Sequence, residues 1–191
     1  MSQENVELVR QPIAVAAHPR RRLEQHLIRF PPAFALFARA AWRFYTLLPP
    51  RSRLRQAIAR RYVAQAAEAL NRGDLEAAFA VYHPDVETII DQRLVALGVE
   101  PTYRGRKARM AFQERWNTEW GEWRFEPEEV IDLGDGRMLA VGRVAGSGLS
   151  SGVALDRYSA FLVTFGPAGR VIREQVFLDR DEALEAVGLR E

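Results

Sequence analysis

The sequence predicts an α+β domain in which helices come first and an antiparallel sheet follows. Between residues 33 and 120, apolar side chains recur at intervals of three and four residues, which is the period of a helix. After residue 124, four segments alternate or run apolar, and glycine-containing turns separate them. Because helices and strands are grouped along the chain and do not alternate, an α+β layout is favoured over repeated βαβ units.

The helix boundaries follow from capping and breaking residues. A proline pair precedes the first predicted helix and another follows it, since proline cannot continue a helix interior. Gly73 ends the second helix as a left-handed residue, and Asp74 and Asp179 cap the third and the last. The predicted helices cover residues 33–48, 52–70, 75–82, 107–120 and 181–187. His83-Pro84-Asp85 is expected to end the third helix.

The strands are predicted from short apolar or alternating runs. They cover residues 86–91, 125–133, 137–145, 154–165 and 171–178. The glycine-rich segment 146–152 lacks the Gly-Lys-Ser/Thr ending of a phosphate-binding loop, so it is interpreted as a hairpin connection. Gly142, Gly146 and Gly148 are residues that allow a strand to bend sharply.

The composition excludes several kinds of chemistry. The 191 residues contain no cysteine, so disulfides, thiolate nucleophiles and thiolate-held metals are excluded, and a reducing cytoplasm is the expected location. His18, His26 and His83 are too scattered to form a metal site. We therefore expect neither a metal nor another cofactor. Neither a secretion signal nor a run long enough to cross a membrane is evident.

Charge is distributed unevenly along the chain. Residues 1–62 hold 12 of the 27 basic residues but only 3 of the 25 acidic ones. Such a basic segment is drawn to phosphates, anionic lipid or an acidic partner, and the acidic remainder of the same chain is an equal alternative. Nucleic-acid binding is not expected, because no known reading motif accompanies the arginines.

The predicted helix at 33–48 is amphipathic. Phe34, Phe37, Phe44 and Tyr45 fall on one face, and Arg39 and Arg43 lie on another, with Trp42 widening the apolar part. The helix is therefore expected to be buried or docked. An anionic membrane surface or a protein partner is a further hypothesis for residues 33–48.

Residues 62–189 resemble the SnoaL-like branch of the nuclear transport factor 2-like superfamily. Six phrases carry the resemblance in the expected order: ALNRGDLEAA at 69–78, YHPDVE at 82–87, YRGR at 103–106, FEPEEVID at 125–132, GRVIR at 169–173 and LDRDEAL at 178–184. The resemblance implies a cone in which a curved, mostly antiparallel sheet wraps three helices. Residues 61–191 would form this domain, and residues 1–60 an arginine-rich helical extension. Residues 1–10 look like the start of the family's first helix.

The resemblance also implies a conical pocket for a small hydrophobic molecule, and a homodimer. Relatives with ketosteroid isomerase activity use a tyrosine and two carboxylic acids. These fall on Ala66, Ile90 and Phe161 in this chain, so that activity is not expected. Binding without proven catalysis is the first hypothesis. A carboxylate-dependent hydrolase, cyclase or lyase is the second.

Strand alternation supplies candidate catalytic residues. If Phe161 faces inward, then Arg157, Ser159, Glu174 and Val176 face inward too. Relatives that hydrate epoxides or close polyketide rings use carboxylates, one of them held by an arginine, which points to Asp91, Arg157 and Glu174. The alternative is that Arg157 and Glu174 form a structural ion pair.

Aromatic side chains supply most of the predicted ligand wall. The predicted ligand-binding residues are Tyr103, Phe112, Trp116, Trp120, Ser159, Phe161 and Val176, with Trp123 in the same aromatic set. Aromatics at helical spacing more often form an ordinary core, and this alternative stays open.

Overall fold

The computed structural model describes residues 31–50, 52–120, 123–148 and 154–189, with side chains from Arg39 onward. Its helices are α1 (Pro31–Leu47), α2 (Arg53–Asn71), α3 (Leu75–Ala78), α4 (Gln92–Val95), α5 (Arg106–Trp120) and α6 (Arg180–Ala186). Its strands are β1 (Tyr82–Ile89), β2 (Thr102–Arg104), β3 (Trp123–Asp132), β4 (Arg137–Ser147), β5 (Ala154–Phe165) and β6 (Val171–Phe177).

The six strands form one curved, open sheet in the order β2-β1-β6-β5-β4-β3. Only the pairing of β1 with β6 is parallel. On the inner face of the sheet, α2 packs on β3 and α5 packs on β1 and β2. On the outer face, α6 packs on β5 and β6, and its Ala183 and Leu184 cover a cluster with Leu139 and Leu162. The predicted α+β architecture is confirmed.

A bulge in β3 bends the sheet opposite Gly142. The register between β3 and β4 shifts between Pro127 and Glu129, and Gly142 pairs with Pro127. A side chain at position 142 would place its Cβ atom 2.2 Å from the Glu126 carbonyl oxygen. Glycine is therefore required here because the two backbones approach too closely for any β-carbon.

The predicted caps hold, but the third helix is shorter than expected. Gly73 has a φ of 72°, and the Asp74 carboxylate accepts a hydrogen bond from the Ala77 N–H. The helix then ends at Ala78, and the prediction that it reaches Tyr82 is wrong. The Val81 carbonyl already accepts a hydrogen bond from the Val171 N–H, so the chain has left the helix to join the sheet.

Strand β1 correspondingly begins earlier and ends earlier than predicted. It includes the segment His83-Pro84-Asp85, where the register against β6 is irregular. Pro84, which has no backbone N–H to donate, can be accommodated at such an irregularity. It stops at Ile89, because the Ile90 N–H donates to the Pro101 carbonyl and Asp91 caps helix α4, which is not among the helices predicted from the sequence.

Helix α1 docks through Trp42 and Tyr45. The Trp42 ring stacks on Phe165 with 4.7 Å between centroids, and Tyr45 is buried, with the Arg55 guanidinium 4.6 Å from its ring centre. Phe44, predicted on the docking face, is 53% exposed instead. The predicted docking is therefore right, but the contact face is rotated toward Trp42.

The compact unit that contains the sheet runs from Ala35 to Glu191. Residues 35–60, which the sequence analysis assigned to the extension, therefore belong to the same unit as the sheet. The functional division at residue 60 stays a prediction. The interpretation of residues 1–10 and the arginines before residue 31 lies outside the described residues.

Candidate functional site

Two hollows lie between the inner face of the sheet and the helices. One hollow, named the outer cavity, has about 850 Å³ of empty space, and the other, named the inner cavity, has about 590 Å³. Both volumes include space at the mouth that is open to solvent. The outer cavity is lined by Leu94, Arg109, Phe112, Gln113, Trp116, Trp120, Trp123, Val144, Ala154, Leu155, Arg157, Ser159, Phe161, Val176 and Leu178. The inner cavity lies under α2 and is lined by residues that include Tyr62, Ala66, Tyr82, Arg109, Phe161, Val163 and Glu174.

An aromatic wall forms one side of the outer cavity. Helical spacing places Phe112, Trp116 and Trp120 along one stripe of α5, and the Trp116 and Trp120 rings stack with centroids 5.4 Å apart. Trp123, which begins β3, completes the wall. Trp116 and Trp120 are only partly buried. Their rings therefore present apolar surface to the cavity, in addition to packing in the core.

A chain of hydrogen bonds fixes the polar groups behind this wall. The Arg109 Nη1 donates to Gln113 Oε1 at 3.1 Å, and the Gln113 amide donates to Asn117 Oδ1 at 3.1 Å. The Trp123 indole N–H also donates to Asn117 Oδ1, at 2.9 Å. These contacts orient the Trp123 ring and leave Gln113 engaged by its own neighbours.

The Glu174 carboxylate lies at the centre of a buried polar cluster. Its Oε1 accepts from the Tyr82 hydroxyl at 2.7 Å, and its Oε2 accepts from Arg109 Nε at 2.6 Å and from the Thr88 hydroxyl at 3.1 Å. Burial, and next the nearby charge of Glu174, raise the pKa of Tyr82 well above its usual value. The Tyr82 hydroxyl therefore stays protonated and acts as a hydrogen-bond donor.

Arg109 and Phe161 separate the two cavities, since both side chains line both of them. The Arg109 guanidinium lies 4.6 Å from the Phe79 ring centre and 5.4 Å from that of Phe112. Phe161 is held edge-on against Phe125, with 5.0 Å between centroids. An aromatic ring and a neutralised arginine thus form the partition.

Glu174 and Arg157 do not meet, contrary to the contact expected from strand alternation. Glu174 lies opposite Val163, whereas Arg157 pairs with Val144 on the other side of β5. Alternation predicted the correct face for both residues, but it does not determine where along a strand they fall. The ion pair of Glu174 is made with Arg109 instead.

Asp91 has a structural environment and lines neither cavity. One carboxylate oxygen accepts from the Arg93 N–H at 2.8 Å, which caps α4, and the other accepts from the Leu178 N–H at 2.9 Å. Both oxygens are therefore occupied by backbone donors. A catalytic role for Asp91 remains a prediction that this geometry does not favour.

Tyr103 also lies away from the cavities. Its ring stacks on Phe112 with centroids 4.9 Å apart, and its hydroxyl accepts a hydrogen bond from Arg115 at 3.0 Å. The other six predicted ligand-binding residues line the outer cavity: Phe112, Trp116, Trp120, Ser159, Phe161 and Val176. Their role in binding remains a prediction.

Arg109 is the residue that the sequence analysis missed. It lies three residues before Phe112 and seven before Trp116, so helical spacing places it on the same stripe of α5. The sequence indicated a functional or structural role for Arg109, because an arginine within an apolar stripe is buried and a buried charge requires a partner. The identity of that partner depends on the register of β6 and could not be inferred from the stripe.

The described residues contain neither a metal-binding cluster nor a membrane-spanning helix. No group of three or more His, Cys, Asp or Glu side chains within them could hold a metal ion. None of the helices they form is long and apolar enough to cross a membrane.

The fold recurs in proteins of known structure. Residues 59–174, more than half of the chain, match the profile of the SnoaL-like domain. The chain belongs to the SnoaL-like domain family. Ala66 and Phe161, where the isomerase relatives carry functional groups, both line the inner cavity of this SnoaL-like protein. Among curated proteins, none matches the chain significantly.

Solved structures support the assignment of the fold. A nuclear transport factor 2-like protein of unknown function from Burkholderia pseudomallei is 23% identical, with a TM-score of 0.56 over 68% of this chain and 97% of that one. TerC, co-crystallised with polyporic acid, is 22% identical, with a TM-score of 0.55 over 66% and 95%. A candidate polyketide cyclase from Xanthomonas campestris is 21% identical, with a TM-score of 0.51 over 68% and 96%. These identities support a shared fold only.

Proposed function

We propose that the outer cavity binds an apolar, preferentially aromatic small molecule. The stacked Trp116 and Trp120 rings at the open cavity are the observation that carries this proposal. Ligand sites are typically concave and largely apolar, with a few fixed polar groups, and the outer cavity has this composition. TerC, which has the same fold, was co-crystallised with polyporic acid. We expect the protein to act in the cytoplasm, since it has no cysteine.

A neutral aromatic probe tests this proposal. We expect 2-naphthamide to bind in isothermal titration calorimetry and to shift the indole N–H signals of Trp116, Trp120 and Trp123 in NMR spectra. The signal of Trp42, which packs on Phe165 away from the outer cavity, should not move. Trp120→Ala should weaken binding about threefold to tenfold, because one aromatic contact contributes about 0.5–1.5 kcal/mol.

Phe44→Ala is the matched control, since Phe44 is an exposed aromatic residue on α1 that does not line the outer cavity. It should leave the affinity unchanged. Absence of binding by naphthamide and by a panel of steroids, aromatic polyketides and terpenoid epoxides would count against the proposal. Equal weakening by the two alanine variants would place the binding site elsewhere.

The second candidate is an acid–base enzyme, and one observation favours it. The Glu174 carboxylate and the Tyr82 side chain both line the inner cavity, where a substrate atom could approach them. Glu174→Gln should then abolish the conversion of a terpenoid epoxide or polyketide substrate while the circular dichroism spectrum is retained. Unchanged turnover in that variant would remove Glu174 from the mechanism.

Two interaction proposals concern the surface. Arg39, Arg43, Phe44 and Leu47 are exposed on α1, which supports docking of residues 33–48 to an anionic membrane. Co-sedimentation with phosphatidylserine vesicles should fall in an Arg39→Gln/Phe44→Ala variant, and equal binding by the variant would refute this proposal. A homodimer is also proposed, by analogy with the family, and sedimentation equilibrium would test it.

A further inference from the structure

We propose that the ligand of the outer cavity carries an anionic group, such as a carboxylate, which pairs with Arg157. This inference rests on the proposed function of the outer cavity and adds the chemical class of its ligand. The ligand would be an amphipathic aromatic acid, with its apolar body on the tryptophan wall and its anion at Arg157. The cavity lining supports this through its charges and through which of these charges are already paired.

The lining carries positive charge without compensating acids. Of the described residues that line the outer cavity, two are arginines and none is aspartate or glutamate. The charge of Arg109 is neutralised by Glu174, whose carboxylate lies 2.6 Å from the Arg109 Nε. Arg157 forms no ion pair with any residue in the described part of the chain. One uncompensated cation therefore remains at an otherwise apolar cavity.

Strand alternation keeps the carboxylate of the preceding residue, Asp156, away from Arg157. Asp156 precedes it in β5 and so points to the opposite face of the sheet, where its carboxylate accepts from Arg143 Nη2 at 2.6 Å. Tyr158, which follows Arg157, lies under the same Arg143 guanidinium at 5.6 Å. Asp156 is therefore paired with Arg143 on the outer face, and Arg157 faces the cavity without a carboxylate partner.

The Ser159 and Gln113 side chains of the lining are already hydrogen-bonded. The Ser159 hydroxyl donates to the Phe177 carbonyl at 3.3 Å, and Gln113 is held between Arg109 and Asn117. Arg157 is the charged lining side chain whose donors have no partner among the described residues, and guanidinium donors match a carboxylate in a two-pronged geometry. Because Arg157 is exposed, its ion pair with the ligand should add only as much binding affinity as an ion pair at the protein surface.

Two probes that differ in charge test this inference. The probe 2-naphthoate is ionised at about pH 7, and 2-naphthamide has nearly the same shape without the charge. We expect wild-type protein to bind naphthoate about fivefold more tightly than naphthamide, which is the upper range for an exposed ion pair. The ratio should shrink between about 0.05 M and about 0.5 M ionic strength, since salt screens exposed charges.

Arg157→Gln should abolish the preference by weakening naphthoate binding while naphthamide affinity stays the same. Arg157→Lys should keep most of it. Arg173→Gln is the matched control, because Arg173 is an exposed arginine of β6 next to inward-facing Glu174 and so lies on the outer face. It should leave the preference intact.

The outcomes separate this inference from the proposed function. Equal binding of both probes to wild-type protein would overturn the anionic ligand and leave aromatic binding standing. Loss of the preference in Arg173→Gln to the same extent as in Arg157→Gln would also overturn it, since overall charge would then be the cause. Binding of neither probe to wild-type protein would overturn this inference. If the panel of steroids, aromatic polyketides and terpenoid epoxides also fails to bind, that result would count against the proposed function of the cavity.

Discussion

Arg109 and Glu174 form an ion pair in which Nε and Oε2 lie 2.6 Å apart and each side chain is 2% exposed. The pair joins helix α5 to strand β6 between the two cavities. Charges removed from water to this extent require a partner and further hydrogen bonds, which Tyr82, Thr88 and Gln113 provide. The pair therefore positions α5, and with it the tryptophan wall.

Arg109→Met should lower the free energy of unfolding by about 3–5 kcal/mol, because it leaves the Glu174 carboxylate buried without its cation. Adding Glu174→Gln should restore part of the loss, since no buried charge is then left unpaired. The amide oxygen can still accept from Tyr82, and the amide N–H can donate to the Thr88 hydroxyl. Urea denaturation followed by circular dichroism measures both. Arg104→Met, at a side chain that is 83% exposed, serves as control and should have no measurable effect. A wild-type-like Arg109→Met would refute the structural role of the pair.

Asp132 should make stability depend on pH. Burial raises its pKa, but hydrogen bonds from Arg55, Tyr45 and the Gly134 N–H outweigh this and hold the pKa below its usual value. A depressed pKa stabilises the folded state above the unfolded value of about 3.9 and loses that effect as pH falls through the folded value. The stability difference between wild-type protein and Asp132→Asn should thus be full near neutral pH and shrink below about pH 4. A difference that does not vary with pH would contradict this.

The docked face of α1 can be identified by two alanine substitutions on the same helix. Trp42→Ala removes the ring that stacks on Phe165 and should cost about 2–4 kcal/mol of unfolding free energy. Phe44→Ala should change it by less than about 0.5 kcal/mol, because Phe44 is mostly exposed. Thermal unfolding of the two variants side by side measures the difference. The reverse order would mean that α1 docks through the face predicted from sequence.

Gly142 should tolerate no side chain. In Gly142→Ala the new methyl group would meet the Glu126 carbonyl oxygen at 2.2 Å, and relief requires one backbone to move. We expect a loss of about 3 kcal/mol or more, at the upper end of overpacking costs. Denaturant unfolding measures this loss. Wild-type stability in the variant would indicate that the bulge in β3 relaxes freely.

Several features that depend on near neighbours along the chain were predicted from the sequence alone. The caps at Asp74 and Asp179, the left-handed Gly73 and the span of β5 follow from local backbone chemistry, and the structure confirms them. The inward face of β5 and β6 follows from a two-residue period. The family was predicted from short sequence segments that occur in a fixed order along the chain.

Only the tertiary structure decided which inward residues meet. The two-residue period of a strand predicts that Arg157 and Glu174 lie on the same face of the sheet, but it does not predict their positions along the strands. The register of the sheet separates the two residues, and Glu174 forms its ion pair with Arg109 instead. The same holds for Asp91, which caps a short helix that was not predicted from the sequence. It also holds for Phe44, which is exposed, because helix α1 docks through Trp42 instead. Pairings across long stretches of chain arise from packing, which no local pattern contains.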